Sequence, residues 1–465
     1  MGVLAGIQIG AVSFVDEGVD TVLDLLAERA GVNALFIGTQ AFDRGLAGRQ
    51  VSRKPHPGHG GDHLADVHLG GSFVTQHEQY YRASTLGPHR AADAEVAGFD
   101  ALGDVIPAAR ERDMKVYSFM LENNHQGLGN VIPGWSNVLQ VDTWGRADPY
   151  ACLRNPDYIA WWRGLVEDQV RSYDVDGIMI GAERNGPLDN VLSEGGFARD
   201  GGSYCFCDFC IRAATDQGID VARAREGYLA LDKLVTGDDV GEFESSFIRY
   251  MRLLNTHPEI IEWDQFWHEG YFAFQARLYG TIKYLAPQVQ VGWHVWHHNS
   301  FSPWYRAQMD FARIGTFSDF VKPVLYKDAA GYRLHHYVST LVQRVFRGMN
   351  PQTVFDLIRG SLGYDEDVKF DDLPRLGLSA DYVRRETVRT RGILDPRVAV
   401  YPGLDVNIPA GEGSRYSDPD DVRASVAAAL DGGADGFVLS RKYSEMTFDN
   451  LEAVGAELVA RGLKK

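Results

Sequence analysis

Residues 157–185 read DYIAWWRGLVEDQVRSYDVDGIMIGAERN and decide the fold of this chain. Apolar residues recur at helical spacing from Asp157 to Ser172, and a short turn then leads into the apolar run Gly177–Gly181. A long amphipathic helix that leads into a short, fully apolar strand is the repeating unit of folds built on a parallel sheet. The stretch continues into an acidic residue, Glu183, just beyond the strand.

The same alternation extends in both directions along the chain. Helical patterns include Val19–Arg29, Ala101–Arg112 and Trp263–Leu285. Eight strands that alternate with helices predict a (β/α)₈ barrel of the α/β class, with residues 1–465 as one domain. An open doubly wound sheet is the alternative, disfavoured because no glycine-rich nucleotide-binding turn opens an early helix. The predicted strands are Ala5–Ile9, Ala34–Gly38, Lys115–Leu121, Gly177–Gly181, Val289–Val295, Phe320–Tyr326, Val398–Tyr401 and Gly436–Ser440.

Two segments are too long to be simple connections. Residues 41–95 are rich in glycine and histidine and are expected to form an ordered loop over the barrel mouth. The histidine spacings match no standard set of metal ligands, so hydrogen-bonding histidines are favoured, and a metal site there stays open. Residues 192–262 follow the fourth strand and contain most of the cysteines. Six of the 14 histidines fall in the first segment: His56, His59, His63, His68, His77 and His89.

Composition and charge narrow the range of partners. The chain is 45% hydrophobic and 23% charged, as in ordinary globular proteins. With 46 Lys and Arg against 63 Asp and Glu, its net charge is −17. Such a surface repels phosphate backbones and anionic lipids, so neither nucleic acid nor a membrane is expected as a partner. Met1–Ile9 lacks the basic and long apolar segments of a signal peptide, which favours a cytoplasmic location.

The four cysteines carry the most specific signal. Cys205, Cys207 and Cys210 form a C-x-C-x-x-C pattern, and Cys152 is the only other cysteine. Four thiolates are a complete tetrahedral ligand set, and full coordination leaves no open position for substrate, so we expect a structural zinc. Buried cysteines or a redox pair are the alternative.

The cysteine pattern resembles that of glycoside hydrolase family 42, the β-galactosidase type. The stretch from Cys152 to Tyr158, leading to Tyr173–Gly177, is also similar to uncharacterised glycoside-hydrolase-like barrels. The resemblance implies a structural zinc, a carbohydrate substrate and self-association into homo-oligomers. It also implies a pair of catalytic carboxylates after the fourth and seventh strands.

By position, Glu183 matches the acid/base residue of that family and Asp405 matches the nucleophile of a retaining mechanism. The sequence departs from the pattern twice, because Ala182 precedes the glutamate where Asn is usual, and the nucleophile is Asp instead of Glu. The alternative for Glu183 is a salt bridge to Arg184 or Lys322. For Asp405 it is a turn-capping role, and the inverting mechanism stays open. Two further carboxylates at strand ends are held in reserve: Glu122 and Glu445.

Aromatic and basic residues at the remaining strand ends are expected to bind the sugar, because aromatic faces stack on pyranose rings and Arg can pair with a carboxylate. Lys322 is alternatively a counter-charge for Glu183 or a Schiff-base amine. A second enzyme class, a metal-dependent sugar isomerase or lyase, would use His294, His298 and Glu183. The third interpretation is a barrel that binds carbohydrate without catalysis. The predicted sugar-binding residues are His125, Trp293, His294, Trp296, Tyr326, Lys322 and Arg441.

Overall fold

The computed structural model describes residues 2–41, 71–92, 96–122, 132–193, 203–237, 244–408 and 410–464. Eight parallel strands surround a common axis, and their bounds agree closely with the predicted runs. In chain order, the first to eighth strands are Leu4–Gly10, Ala34–Ala41, Lys115–Leu121, Gly177–Gly181, Gln290–Val295, Phe320–Pro323, a seventh in two pieces (Ala399–Val400 and Gly403–Asp405), and Gly436–Ser440.

The strands close into a barrel, which confirms the predicted fold and excludes the open sheet. The first strand pairs with the second on one side and with the eighth on the other, with Ile7 opposite Leu439. The seventh strand joins its neighbours through different pieces. Val400 pairs with the sixth strand, whereas Asp405 pairs with Ser440 of the eighth. The interruption falls at Tyr401-Pro402, where the proline has no N–H to offer a sheet ladder.

Helices surround the strands, and several begin with side-chain caps. The long helix before the fourth strand begins at Pro156, where the Asn155 side chain accepts a hydrogen bond from the Asp157 N–H. None of the described helices is long and apolar enough to cross a bilayer. Helices following the first to third strands are Ala11–Glu17, Val19–Leu25, Val105–Arg110 and Pro156–Ser172. Those following the fourth are Pro187–Ser193, Asp208–Asp216, Val221–Thr236, Ser246–Thr256 and Glu259–Leu285. Those following the fifth to eighth are Pro303–Gln308, Phe311–Gly315, Lys327–Gln343, Pro351–Leu362, Leu373–Leu376, Ala380–Ile393, Pro419–Asp431 and Phe448–Ala460.

Aromatic rings fill the lower half of the barrel interior. Phe36 stacks on Tyr117 with 4.6 Å between ring centroids, and Phe320 meets both rings edge-on at 6.1 and 5.6 Å. Gly292 makes room for this plug, because a Cβ at that position would lie 2.1 Å from the Phe320 ring. The floor of the barrel is therefore apolar and closed, and polar groups begin one layer higher.

Candidate active site

Glu183 is the carboxylate that the barrel mouth exposes among the four that the sequence singled out. Its side chain is 24% exposed, whereas Glu122, Asp405 and Glu445 are at most 2% exposed. The fourth strand is buried on both faces and ends at Gly181, which brings the next residues to the carboxyl edge of the sheet. Active-site residues of barrels gather at this edge, so Glu183 stands where a substrate would arrive.

A chain of hydrogen bonds runs from Glu183 down into the barrel. The Glu183 Oε1 lies 3.0 Å from Nε2 of His294, and Nδ1 of the same ring lies 3.2 Å from the Nζ of Lys322. Lys322 also donates to Oε1 of Gln8 at 2.9 Å, and Ser440 donates to that same oxygen at 2.5 Å. Since an ammonium can only donate, the arrangement fits a neutral imidazole with its hydrogen on Nε2, aimed at the carboxylate.

The Lys322 side chain is completely buried inside the barrel. It has no exposed surface, and the backbone of Gly403 lies so close that a Cβ there would be 2.7 Å from its Cε and 2.8 Å from its Nζ. Burial lowers the pKa of Lys322 to about 7, although the negative charge of Glu183 acts in the opposite direction. The side chain is therefore held by several partners and is far less basic than an ordinary lysine.

Glu183 is ionised at neutral pH. Burial raises the pKa of Glu183, but the hydrogen bond from His294 and the positive charges of Arg333 and Lys322 outweigh it, so this pKa lies below the ordinary glutamate value. Burial and the charge of Lys322 lower the pKa of His294 to about 4, so the imidazole is neutral. A neutral donor and an ionised acceptor make a stable charge-assisted pair.

Asp405 occupies a different environment. Its Oδ2 accepts hydrogen bonds from the backbone N–H groups of Asp328 and Ala329, at 2.9 and 3.0 Å, so it caps the helix Lys327–Gln343. Its Oδ1 is buried and has no hydrogen-bond partner among the described residues. Burial and the neighbouring charge of Asp328 raise the pKa of Asp405 to about 7. Asp405 therefore caps a helix that follows the sixth strand, and its catalytic role stays a prediction.

The two reserve carboxylates are engaged elsewhere. Glu122 is completely buried and forms a salt bridge with Arg184 and a hydrogen bond with Tyr158. Glu445 pairs with Arg441, whose Nε lies 3.1 Å from its Oε1. One alternative from the sequence paired Glu183 with Arg184. Among the described residues, Arg184 instead forms its salt bridge with Glu122.

Tyr326 and two arginines border the site. Lys322 lies 3.4 Å from the Tyr326 hydroxyl and 5.5 Å from its ring centre, and the Arg333 guanidinium is 5.7 Å from the same ring. Arg333 also donates to Nδ1 of His297 at 2.9 Å. Arg441, 27% exposed, lies close enough to act electrostatically on Tyr326. Arg333 is not among the predicted site residues, because it follows the sixth strand on a helix, where a basic residue ordinarily faces solvent.

The two predicted sugar-binding tryptophans lie in different environments. The Trp293 side chain is buried on the face opposite His294, and its Nε1 donates to the carbonyl of Phe317 at 2.8 Å. The alternation of the strand therefore places the Trp293 side chain in the barrel wall, and its role in sugar binding stays a prediction. Trp296 is half-buried and stacks on His298 with 4.9 Å between ring centroids.

The proposed ligand set for a catalytic metal is not formed. His298 Nε2 lies 2.7 Å from Asp189, whereas His294 bonds to Glu183 and Lys322. Within the described ranges, only the four cysteines bring three or more such ligand atoms together. His125 and the histidines from His56 to His68 lie outside the described residues.

The cysteines form a compact, buried cluster. All four Sγ atoms lie within 4.8 Å of one another, and Cys152 Sγ is 3.5 Å from Cys210 Sγ and 3.4 Å from Cys207 Sγ. These separations are much longer than a disulfide bond and close to the roughly 3.8 Å edge of a tetrahedron with Zn–S bonds of about 2.3 Å. The four thiols therefore fit a tetrahedral metal site that joins the loop after the fourth strand to the hairpin Leu139–Ala151.

Comparisons with known proteins show a shared fold. No protein-family profile and no curated protein matches the chain. Among solved structures, the glycoside hydrolase domain of PgaB (BpsB) from Bordetella bronchiseptica is similar at 11% identity and a TM-score of 0.51, with 100% of this chain and 99% of that domain covered. A β-galactosidase from Marinomonas ef1 is similar at 11% identity and a TM-score of 0.55, with coverage of 99% and 60%. A β-galactosidase from Halorubrum lacusprofundi is similar at 13% identity and a TM-score of 0.52, with 98% of this chain and 57% of that chain covered.

The chain thus spans about 60% of the length of these β-galactosidases. At such identities the likeness establishes a barrel of the kind that glycoside hydrolases contain. The finer resemblance to family 42, which depends on the cysteine pattern, stays a prediction.

Proposed function

We propose that this protein hydrolyses a glycosidic bond of a carbohydrate substrate, with Glu183 as a catalytic carboxylate. The observation that carries the proposal is the ionised Glu183 at the barrel mouth, hydrogen-bonded at 3.0 Å by a neutral His294. Glycosidases need two carboxyl groups that flank the scissile bond, one of them ionised and the other protonated. The fold shared with glycoside hydrolases supports the same reaction class.

The two candidate carboxyl groups differ in protonation in the way such a reaction needs. Glu183, with its lowered pKa, suits the nucleophile or base, and Asp405, with a pKa of about 7, suits the proton donor. These roles are the reverse of those implied by the family resemblance, in which Glu183 is the acid/base. In a retaining reaction, the Glu183 oxygen would bond to the anomeric carbon as the glycosidic C–O bond breaks, and Asp405 would give its proton to the leaving oxygen. Water, deprotonated by Asp405, would then release the sugar.

The cysteine cluster is proposed to hold a structural zinc. Four thiolates would leave the metal no open position, and the metal would fix the loop that carries Cys205, Cys207 and Cys210 against Cys152, which directly follows the hairpin Leu139–Ala151. Phe206 in this loop stacks on Trp263 at 4.3 Å, so the same loop also anchors the helix Glu259–Leu285. Self-association and a cytoplasmic location stay predictions.

The decisive experiment is a panel of aryl α- and β-glycosides with wild type, Glu183→Gln and Glu111→Gln. Glu111 is an exposed carboxylate before the third strand, at the opposite end of the barrel, and serves as the control. We expect wild type and Glu111→Gln to release aglycone, and Glu183→Gln to lose at least 10³-fold in kcat/KM, the scale of losing one catalytic group. Equal activity of Glu183→Gln and wild type would refute the role of Glu183, and a folded, inactive wild type would refute hydrolysis of these substrates.

The role of Asp405 needs its own variant. Asp405→Asn keeps an oxygen that can cap the helix Lys327–Gln343 but cannot give up a proton. We expect near-native folding with a large loss of kcat, smallest for glycosides whose leaving groups need no protonation. Full activity would assign Asp405 to capping alone, and the anomer first released, read by NMR, would distinguish retention from inversion.

A further inference from the structure

Positive charge is concentrated at the mouth of a strongly acidic protein. The chain carries a net charge of −17, yet Arg333 and Arg441 both act electrostatically on Glu183. Glu445 pairs with Arg441, and Asp405 lies buried beneath the mouth. Glu183 is thus a partly exposed negative group within the electrostatic reach of both guanidinium groups.

Arg333 is the unusual member of this set. Its hydrogen bond to Nδ1 of His297, at 2.9 Å, goes to a neutral partner, and its other close contact is the ring of Tyr326. In the part of the chain that the structure describes, it forms no salt bridge, whereas most other arginines near the site pair with a carboxylate. A half-buried guanidinium without a counter-charge is unfavourable, and a bound anion would relieve this.

The electrostatics give the same picture. Burial and the repulsion from Arg441 lower the pKa of Arg333, while Glu183, Tyr326 and Asp405 act in the opposite direction. Two guanidinium groups close enough to repel each other both favour an anion bound beside them. Since a guanidinium has five N–H donors in a planar fork, Arg333 can bond to His297 and still present donors to a ligand.

We propose that the sugar bound at this mouth carries a carboxylate, as uronic acids do, and that Arg333 is the specificity-determining residue that binds it. This inference deepens the proposed function and rests on it for the reaction. A planar carboxylate matches the guanidinium fork through two parallel hydrogen bonds, and it meets Arg333 without a salt bridge having to be broken. Glu183 lies within the electrostatic reach of Arg333, and among the described residues the two form no salt bridge, so the guanidinium keeps donors for a ligand.

Binding, measured without turnover, tests the inference independently of hydrolysis. Isothermal titration of wild type with glucuronate and galacturonate is compared with titration of glucose and galactose, which differ only at the carboxylate carbon. We expect each uronate to bind at least tenfold more tightly than its neutral partner, and this preference to weaken as salt is raised. Equal or tighter binding of the neutral sugars would overturn the inference. Tighter binding of glucose 6-sulfate than of either uronate would overturn the choice of a carboxylate.

Variants assign the preference to one side chain. Arg333→Gln removes the charge but can still donate to His297, and it is expected to lose the tenfold preference. Arg333→Lys keeps the charge without the planar fork and is expected to retain only part of the preference. This second variant carries the test if Arg333→Gln folds poorly. Arg375→Gln, at a 69% exposed arginine on another helix, is the control and should bind as wild type does. An unchanged preference in folded Arg333→Gln would overturn the role of Arg333.

The two proposals fail in different ways. Hydrolysis of neutral glycosides without any uronate preference would leave the proposed function in place and overturn the inference about substrate class. Uronate binding that depends on Arg333, with no hydrolysis of neutral or uronate aryl glycosides, would overturn the proposed hydrolysis and leave the inference about the bound sugar in place.

Discussion

Replacing Lys322 by methionine should remove a pH-dependent penalty on stability. Lys322 has no exposed surface, and burial lowers its pKa from 10.5 to about 7. Between these two values the unfolded chain binds nearly one proton more than the folded protein does at this site, so wild type gains stability as the pH rises. Integrating from about pH 7 to about pH 9 gives a gain of ~2 kcal/mol for wild type relative to the variant.

Urea unfolding followed by circular dichroism at several pH values measures this difference. The variant also loses the hydrogen bonds of Lys322 to Gln8 and His294, but their loss is a nearly constant offset, since His294 has a pKa of about 4. Lys115→Met, at an exposed lysine that begins the third strand, is the control and should follow wild type at every pH. A difference between wild type and Lys322→Met that stays flat from pH 7 to pH 9 would refute the picture of a buried, weakly basic amine.

Three further changes test other parts of the structure. Cys207→Ser is expected to reduce bound zinc from one equivalent to almost none, measured by atomic emission, and to lower the melting temperature; full zinc retention would contradict four-thiolate binding. Gly292→Ala should lower the free energy of unfolding by roughly 1–3 kcal/mol because its Cβ meets the aromatic plug, whereas Gly280→Ala, with open space around it, should be neutral or slightly stabilising in the same urea titrations. His294→Gln should raise the pKa of Glu183 and move the acid limb of the kcat/KM profile to higher pH, whereas an unmoved limb would mean that another group controls it.

The fold could be predicted because its signals are local. Each barrel strand is a short apolar run with both faces buried, and such runs differ clearly from the polar turns around them. The strand Gly177–Gly181 has the predicted bounds to the residue. The closure between the first and eighth strands followed from the count of eight, although no local pattern encodes the pairing of Ile7 with Leu439.

The site could be predicted only in part, since its geometry depends on which face of a strand points inward. Period-two alternation separates Trp293 from His294 but does not say which of them enters the barrel. The strand then ends at Val295, and a single helical turn directs His297 to Arg333 and His298 to Asp189, so the alternation fails there.

Other parts of the site depend on contacts distant in sequence. Nothing near Lys322 in the sequence marks it as buried, because the side-chain oxygen that accepts its hydrogen bond belongs to Gln8, 314 positions away. The capping of the helix after the sixth strand by Asp405 likewise joins two separate connections. The cysteine cluster was the exception, because three of its four members lie within six positions.

The polar layer beneath Glu183 is assembled from the two ends of the chain. Gln8 accepts from Ser440 across 432 positions of sequence, and the sixth-strand lysine bonds to the same oxygen. During synthesis, one edge of the first strand therefore stays unpaired until the eighth strand has left the ribosome. Contacts of such long range slow folding and prolong the exposure of strand edges. The chemistry at the mouth is thus acquired in the last step of folding, when the barrel closes, and a nascent or C-terminally shortened chain would have Glu183 without the layer that supports it.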